Sequence, residues 1–381
     1  MNMPSNNTLL SPLTAGDLAT PNRVWMAPLT RSRATMPGNI PNDLNAEYYR
    51  QRAGRQTGAG LIISEATPIS PMGHGYYATP GIHTDAQQAG WKKVTDAVHN
   101  EGGMIVCQLW HVGRVSNSAL LPDNQPPVST TTEPSRSETY IDHSGVRMPA
   151  SPPRKLDPNE LPAIVEDFAN AARRSIAAGF DGVEIHGANT YLLDQFTRDG
   201  MNKMPVPWGG SLENRLRFPL MVAQAVADAI GPGRVGYRIS PLSDHHDAVD
   251  SDPGTTFSAL AAGLGGMGLA FLHAVETWDR SKIDPRVGTV IPRIAEAFKA
   301  AGGGAYIANG DYTPETAEQA VADGWADAVA FGKLFISNPD LTERIRRGGP
   351  YSEWNSDTFY TGTGLGYTDY PGLAVPGTAR A

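Results

Sequence analysis

The run Gly182-Val183-Glu184-Ile185-His186-Gly187-Ala188-Asn189-Thr190-Tyr191 joins a mostly apolar stretch to three polar side chains at its carboxyl end. His186 and Asn189 can both donate hydrogen bonds to one oxygen, and Tyr191 can deliver a proton close by. Groups of that kind polarise a carbonyl and protonate the carbon beside it. Other positions suit a flat, phosphorylated ligand. Gln108 pairs a donor with an acceptor, as the imide edge of a planar ring requires. Arg238 supplies a fixed positive charge that can stabilise a reduced, anionic ring. Gly310 and Gly332 let backbone N–H groups approach a phosphate, and Lys333 adds a point charge. A mononucleotide with a flat heterocycle fits this set, with FMN as the first candidate.

These residues need a frame that brings them together. Eight short, nearly continuous apolar runs recur along the chain: Val24–Ala27, Leu61–Ser64, Met104–Gln108, Gly182–His186, Arg234–Arg238, Gly268–His273, Ala305–Ala308 and Ala326–Phe331. Such runs suit strands covered on both faces. Helical patterns separate them at Gln87–Asn100, Pro162–Ala178, Leu212–Ile230, Thr255–Leu264, Val290–Ala301, Pro314–Ala322 and Pro339–Arg347. Ser211 is an expected N-cap, and Asn338 is expected to cap a helix whose first residue is Pro339. Alternating strands and helices imply a parallel sheet with right-handed crossovers. Eight such units predict an α/β fold, a closed (β/α)8 TIM barrel, which needs about 250 residues before insertions.

The surplus length has visible places. Met1–Arg23 is expected to form a short hairpin over the barrel floor. Gly113–Pro153, rich in Pro, Ser and Thr, is too long for a simple connection and predicts a lid-like excursion above the barrel mouth. A Gly-, Tyr- and Pro-rich tail follows Gly348. Residues 1–381 are read as one domain. In a barrel of this kind chemistry gathers at the carboxyl ends of the strands. Pro28-Leu29-Thr30, Glu65-Ala66, Gln108 with Trp110, the His186 group, Arg238, Asn309-Gly310 and Gly332-Lys333 all fall there.

Composition narrows the alternatives. The 381 residues are 40% apolar and 18% charged, with a formal net charge of −8. An acidic chain with no long basic run disfavours nucleic acid and anionic membranes as partners. No apolar run reaches the roughly 18 residues of a membrane span. The polar start Met1–Asn7 lacks a secretion signal, so a cytoplasmic location is expected. Cys107, the single cysteine, sits in an apolar run and is read as a core residue. Gly263-Leu264-Gly265-Gly266-Met267-Gly268 matches a dinucleotide fingerprint but precedes a strand, so it reads as the end of a helix. Asp244-His245-His246-Asp247, with Asp250 and Asp252, has metal-ligand residue types without the spacing of a known site, and reads as a solvated loop. A metal-dependent aldolase or hydrolase using Asp244, His245 and His246 is the main rival; a flavin carrier without catalysis is another.

At this point the chain resembles the Old Yellow Enzyme family of FMN-dependent ene-reductases. It is most similar to the bacterial branch typified by N-ethylmaleimide reductase, pentaerythritol tetranitrate reductase and morphinone reductase. The resemblance rests on Met26-Ala27-Pro28-Leu29-Thr30-Arg31-Ser32-Arg33, Ser64-Glu65-Ala66-Thr67, Gln108 to Arg114, the His186 run, Gly209 to Arg215, Arg238, Phe331-Gly332-Lys333 and Gly366 to Pro371. It implies that Thr30 tunes the flavin, that Pro28, Leu29 and Ala66 line its ring, and that Gln108 and Arg238 bind its pyrimidine end. Asn309, Gly310, Gly332 and Lys333 would hold the phosphate region. His186 and Asn189 would clamp the substrate oxygen, and Tyr191 would be the proton donor. Tyr76, Trp110 and Tyr360 would line the substrate pocket. NADPH or NADH would supply hydride, an enone or nitroalkene would receive it, and the protein would be a monomer or homodimer with no metal. Three departures stand out: Lys333 replaces a usual Arg, Thr190 replaces a usual Gly, and the loop Met204-Pro205-Val206-Pro207-Trp208 replaces the family's usual stretch.

Overall fold

The computed structural model describes residues 8–373; the Met1–Asn7 stretch and the end of the tail, 374–381, lie outside them. Eight parallel strands follow one another around a closed sheet: β1 (Val24–Met26), β2 (Ile62–Ile63), β3 (Ile105–Trp110), β4 (Gly182–His186), β5 (Val235–Ile239), β6 (Phe271–Val275), β7 (Ala305–Asn309) and β8 (Ala328–Phe331). Closure is made by β8 pairing with β1, Val329 opposite Val24 and Phe331 opposite Met26. The eight expected strands all form, with shifted ends. The largest shift is in β6, which begins at Phe271 because Gly268 takes φ +74° and closes the preceding helix.

The eight main helices are α1 (Asp43–Gln51), α2 (Asp85–Asn100), α3 (Leu161–Ala177), α4 (Leu212–Ile230), α5 (Pro253–Gly266), α6 (Val287–Ala300), α7 (Pro314–Ala322) and α8 (Leu341–Arg347). Thr84 caps α2 in a reciprocal arrangement with Gln87, and Ser211 caps α4 through the Asn214 N–H. α8 corrects the expectation of a helix from Pro339 capped by Asn338. It starts at Leu341, and the Asn338 side chain instead bonds Leu334 O and Ser352 O. α1 and the short helices Leu192–Thr197 and Lys333–Ser337 add to the predicted set.

Side chains alternate along each strand, so every barrel strand feeds two cores. Outward residues such as Val183, Ile185, Tyr237 and Leu272 pack beneath the helices. Inward residues Trp25, Leu61, Ile63, Val106, Phe271, Ile307 and Ala330 fill the barrel. Ala15 and Leu18 join that inner cluster from the expected hairpin, Leu13–Ala15 against Leu18–Thr20. Asp17 N–H donates to Gly233 O and fastens the hairpin to the floor. These side chains fill the lower barrel and leave the opposite rim open.

The long insertion carries a hairpin, Glu138–Tyr140 against Arg147–Pro149. Tyr140 packs against Tyr360, ring centroids 5.5 Å apart, and its carbonyl accepts from Tyr77 N–H. The excursion therefore stands at the mouth, as expected, but it buttresses Tyr76, Tyr77 and Tyr360 from behind and supplies no residue to the cavity wall.

Candidate active site

A cavity of about 700 Å³ opens at the carboxyl ends of the strands. It is lined by Pro28, Leu29, Thr30, Ala66, Tyr76, Gln108, Trp110, His186, Asn189, Tyr191, Arg238, Asn309, Gly310, Gly332, Lys333 and Tyr360. All sixteen site residues expected from the sequence thus meet on one wall or another of a single space.

His186 ends β4 and faces inward. Its Nδ1 accepts from Ala188 N–H at 3.3 Å, which places the proton of the neutral ring on Nε2 and leaves a donor for a ligand. Burial holds the imidazole well below its ordinary range, and the Arg238 charge adds to that effect. A neutral imidazole donor is therefore what the site presents near pH 7. Asn189 follows in the left-handed region, φ +55°, which Asn tolerates. Its N–H donates to Ser240 Oγ at 2.7 Å, while its buried Oδ1 has no protein partner.

Thr190, φ +60°, is a genuine backbone outlier, since a β-branched residue clashes in that conformation. Three bonds hold it there: its N–H donates to Asp194, its carbonyl accepts from Gln195, and its hydroxyl donates to His245 O. The strained turn aims Tyr191 across the cavity. The Tyr191 ring lies edge-on to His186 at 4.9 Å and to Trp110 at 5.0 Å, and its hydroxyl is 3.4 Å from that of Tyr76. Burial and the nearby Tyr76 push the phenol well above its usual range, so it keeps its proton at neutral pH.

The opposite wall suits a flavin mononucleotide. Arg238 donates to Asn309 Oδ1 at 3.0 Å, yet its buried Nε has no partner. Gln108 gives one N–H to Glu184 at 2.7 Å, leaving its carbonyl oxygen and second N–H for a ligand. Gly310 takes φ +141°, and a Cβ there would meet Thr277 O at 2.7 Å, so only glycine allows this backbone to line the space. Lys333 stands at the start of its short helix, 5.7 Å from the Trp354 ring. Unpaired buried donors beside a glycine cradle and a lysine match the donor set of such a group.

The Asp244–Asp252 stretch is a loop with Asp244, His245 and Asp252 exposed, as expected, and its histidines also reach the site. His245 lines the cavity, the His245 and His246 rings are tilted with centroids 3.9 Å apart, and the His246 ring centroid lies 5.7 Å from that of Tyr191. Asp247 Oδ2 accepts from Arg136 N–H, and Arg114 donates to His246 O. Among the described residues, no cluster of three or more His, Cys, Asp or Glu has the arrangement to hold a metal. Cys107 is fully buried, its thiol pushed up to about 11 by that burial, in keeping with a core role.

Sequence reasoning missed several supports. Arg33 donates to Thr358 O and Leu365 O, and Arg31 to Gly366 O, tying the segment that carries Tyr360 to the end of β1. Tyr367 stacks on Tyr48 at 4.0 Å beneath them. Trp278 joins His245 at the cavity mouth. Buried Glu184 and His273 also went unnoticed; the even spacing of Glu184 and His186 on β4 was the available signal.

Buried imidazoles give a stability prediction. Burial holds His74 at about 3 and His111 at about 4, and also lowers His186 and His273. In the unfolded chain each binds a proton near pH 6.5. Their contribution is therefore present above about pH 6.5 and lost as pH falls toward 4, at about 1.4 kcal/mol per pH unit each. Glu65 opposes them: burial raises its carboxyl to about 7, so acidification relieves that one group. Burial also lowers His83 and His246, to about 4 and about 3, and raises Asp194 and Asp167 as it does Glu65. The depressed imidazoles outnumber the raised carboxyls, which predicts a thermal midpoint that falls from pH 7 to pH 5. A flat or rising midpoint would contradict this.

Known proteins agree with this geometry. The NADH:flavin oxidoreductase / NADH oxidase family model matches residues 8–351. 12-Oxophytodienoate reductase 1 of Oryza sativa subsp. japonica is 45% identical over 372 residues, 96% of this chain and 93% of that protein. 12-Oxophytodienoate reductase 2 of Arabidopsis thaliana is 42% identical over 371 residues, 96% of each chain. A solved structure of morphinone reductase with tetrahydroNAD superimposes with a TM-score of 0.89 at 46% identity, covering 97% of this chain and 98% of that one. An old yellow enzyme homologue from Zymomonas mobilis gives 0.89 at 40% identity, covering 96% and 100%. Taken with the cavity, these likenesses place the chain in the Old Yellow Enzyme family of FMN-dependent NAD(P)H oxidoreductases, the ene-reductases.

Proposed function

We infer that this cavity reduces the activated C=C bond of an α,β-unsaturated carbonyl or nitro compound, with His186, Asn189 and Tyr191 as the groups that act on it. Bound FMN, reduced by NADPH or NADH, supplies the hydride. Pro28, Leu29, Thr30 and Ala66 would flank its ring. Gln108 and Arg238 would bind the pyrimidine end, and Asn309, Gly310, Gly332 and Lys333 the phosphate region. His186 Nε2–H and the Asn189 amide hold the substrate oxygen and draw electron density from the β-carbon. Tyr191 Oη–H then protonates the α-carbon. Tyr76, Trp110 and Tyr360 pack the substrate and exclude water.

One observation carries this reading: a neutral imidazole donor, the Asn189 amide and a protonated phenol share one cavity with an arginine whose buried Nε has no partner. A flavin carrier without catalysis would not need the phenol. Residues 1–381 are read as one FMN-binding unit, a monomer or homodimer, located in the cytoplasm. Among the described residues no helix is long and apolar enough to cross a membrane. The test is product analysis after NADPH oxidation with 2-cyclohexenone. Cyclohexanone is expected; an allylic alcohol, or no enone-dependent NADPH loss, would contradict the assignment.

A further inference from the structure

Glu184 has no part in the mechanism above, yet it lies in the layer directly below the cavity. It points into the barrel from β4, two residues before His186, and is fully buried. Both oxygens accept strong hydrogen bonds: Oε1 from Gln108 Nε2 at 2.7 Å, and Oε2 from His273 Nδ1 at 2.7 Å. The strand register explains the meeting. Glu184 lies opposite Gln108 on β3, His186 opposite Arg238 on β5, and Arg238 opposite His273 on β6. Four adjacent strands thus build one inward-facing ring of polar groups.

A buried carboxylate is costly unless donors and a counter-charge surround it. Here the donors are Gln108 and His273, and the counter-charge is Arg238. Gln108 and Arg238 are also the two side chains assigned to the flavin's pyrimidine end. Because Oε1 accepts only N–H, it fixes which end of the Gln108 amide turns away from the cavity. Its negative charge lies in the layer beneath the cavity, on the side of Gln108 and Arg238.

We propose that Glu184 is a positioning residue that orients the Gln108 amide toward FMN and holds the flavin's reduction potential down. This rests on the FMN reading of the cavity. A lower potential makes the reduced flavin a stronger hydride donor to the enone. Arg238 acts in the opposite sense, so the pair sets the balance between accepting hydride from NADPH and passing it on.

The test is Glu184→Gln in the holoenzyme, measured by anaerobic dye-linked potentiometry and by titrating apoprotein with FMN. The potential is expected to rise by about 30 mV, a tenfold change in the reduced-to-oxidised ratio for a two-electron couple. FMN affinity is expected to weaken by about tenfold, the scale seen when partners behind a liganding group are removed. Should Glu184→Gln not fold, His273→Leu serves. It removes the donor at Glu184 Oε2 and is expected to shift the potential the other way, downward. A folded variant of either kind with unchanged potential and FMN affinity overturns the proposal while leaving the FMN reading intact. Wild-type protein that takes up no FMN overturns both.

Discussion

Replacing Tyr191 by Phe is expected to slow enone reduction by about 10²–10⁴-fold, the range of a positioned general acid. The flavin's reduction by NADPH should keep its wild-type rate. The variant removes one oxygen and little else, because the Tyr191 ring is held by edge-on contacts with His186 and Trp110 that phenylalanine preserves. Carbonyl polarisation by His186 and Asn189 survives, so hydride arrival at the β-carbon is still favoured. What is lost is the proton at the α-carbon, which water beside an aromatic wall replaces poorly. Stopped-flow measurement of the two half-reactions checks this. Equal slowing of both would show that Tyr191 shapes the cavity and donates no proton.

The second large effect is on stability and concerns the ion pair that holds the strained turn. Asp194 and Arg198 meet at 2.9 Å, with side chains 0% and 2% exposed. Asp194 also accepts from Thr190 N–H at 2.8 Å, and Arg198 donates to Ser240 O at 2.6 Å. The pair therefore fixes the turn from both sides, since Ser240 Oγ receives the Asn189 N–H. Arg198→Met strands a carboxylate that burial already pushes upward, and should cost about 3–5 kcal/mol. The double variant Asp194→Leu with Arg198→Met should recover most of that stability, because no uncompensated charge is left. It should not fully recover the enone reduction rate, since Thr190 loses one of its three bonds and Tyr191 part of its aim. Chemical denaturation read beside turnover separates the two effects. A double variant as unstable as the single would contradict the charge argument.

The barrel was legible because its strands are covered on both faces and read as continuous apolar runs, such as Ala305–Ala308 and Gly182–His186. Ends were less legible. Gly268-Leu269-Ala270 reads as strand, yet positive φ at Gly268 makes it the exit from α5. Helix α1 escaped notice because Asp43–Gln51 is mostly polar and buries only Asn45, Tyr48 and Tyr49. The cavity wall was legible for a different reason. In this fold polar residues just past a strand face a common space, so position on the strand substitutes for distance.

Supports that act across the sequence left no local trace. Glu184 and His273 are 89 residues apart, and only barrel register brings them within 2.7 Å. Arg33 and Thr358 are separated by 325 residues. His245 is exposed, as its acidic neighbours suggest, yet the hydroxyl of Thr190, 55 residues away, draws the His245 backbone against the site. In each case the missing information was tertiary contact, not residue chemistry.

Anaerobic titration of the purified holoenzyme, read by flavin absorbance, bears most directly on the shared cavity. NADPH should bleach the flavin band, and one equivalent of 2-cyclohexenone should restore it with release of cyclohexanone. A protein with no flavin band, or one whose bleached band returns only when oxygen is admitted, would contradict the joint placement of hydride source and carbonyl clamp at this rim.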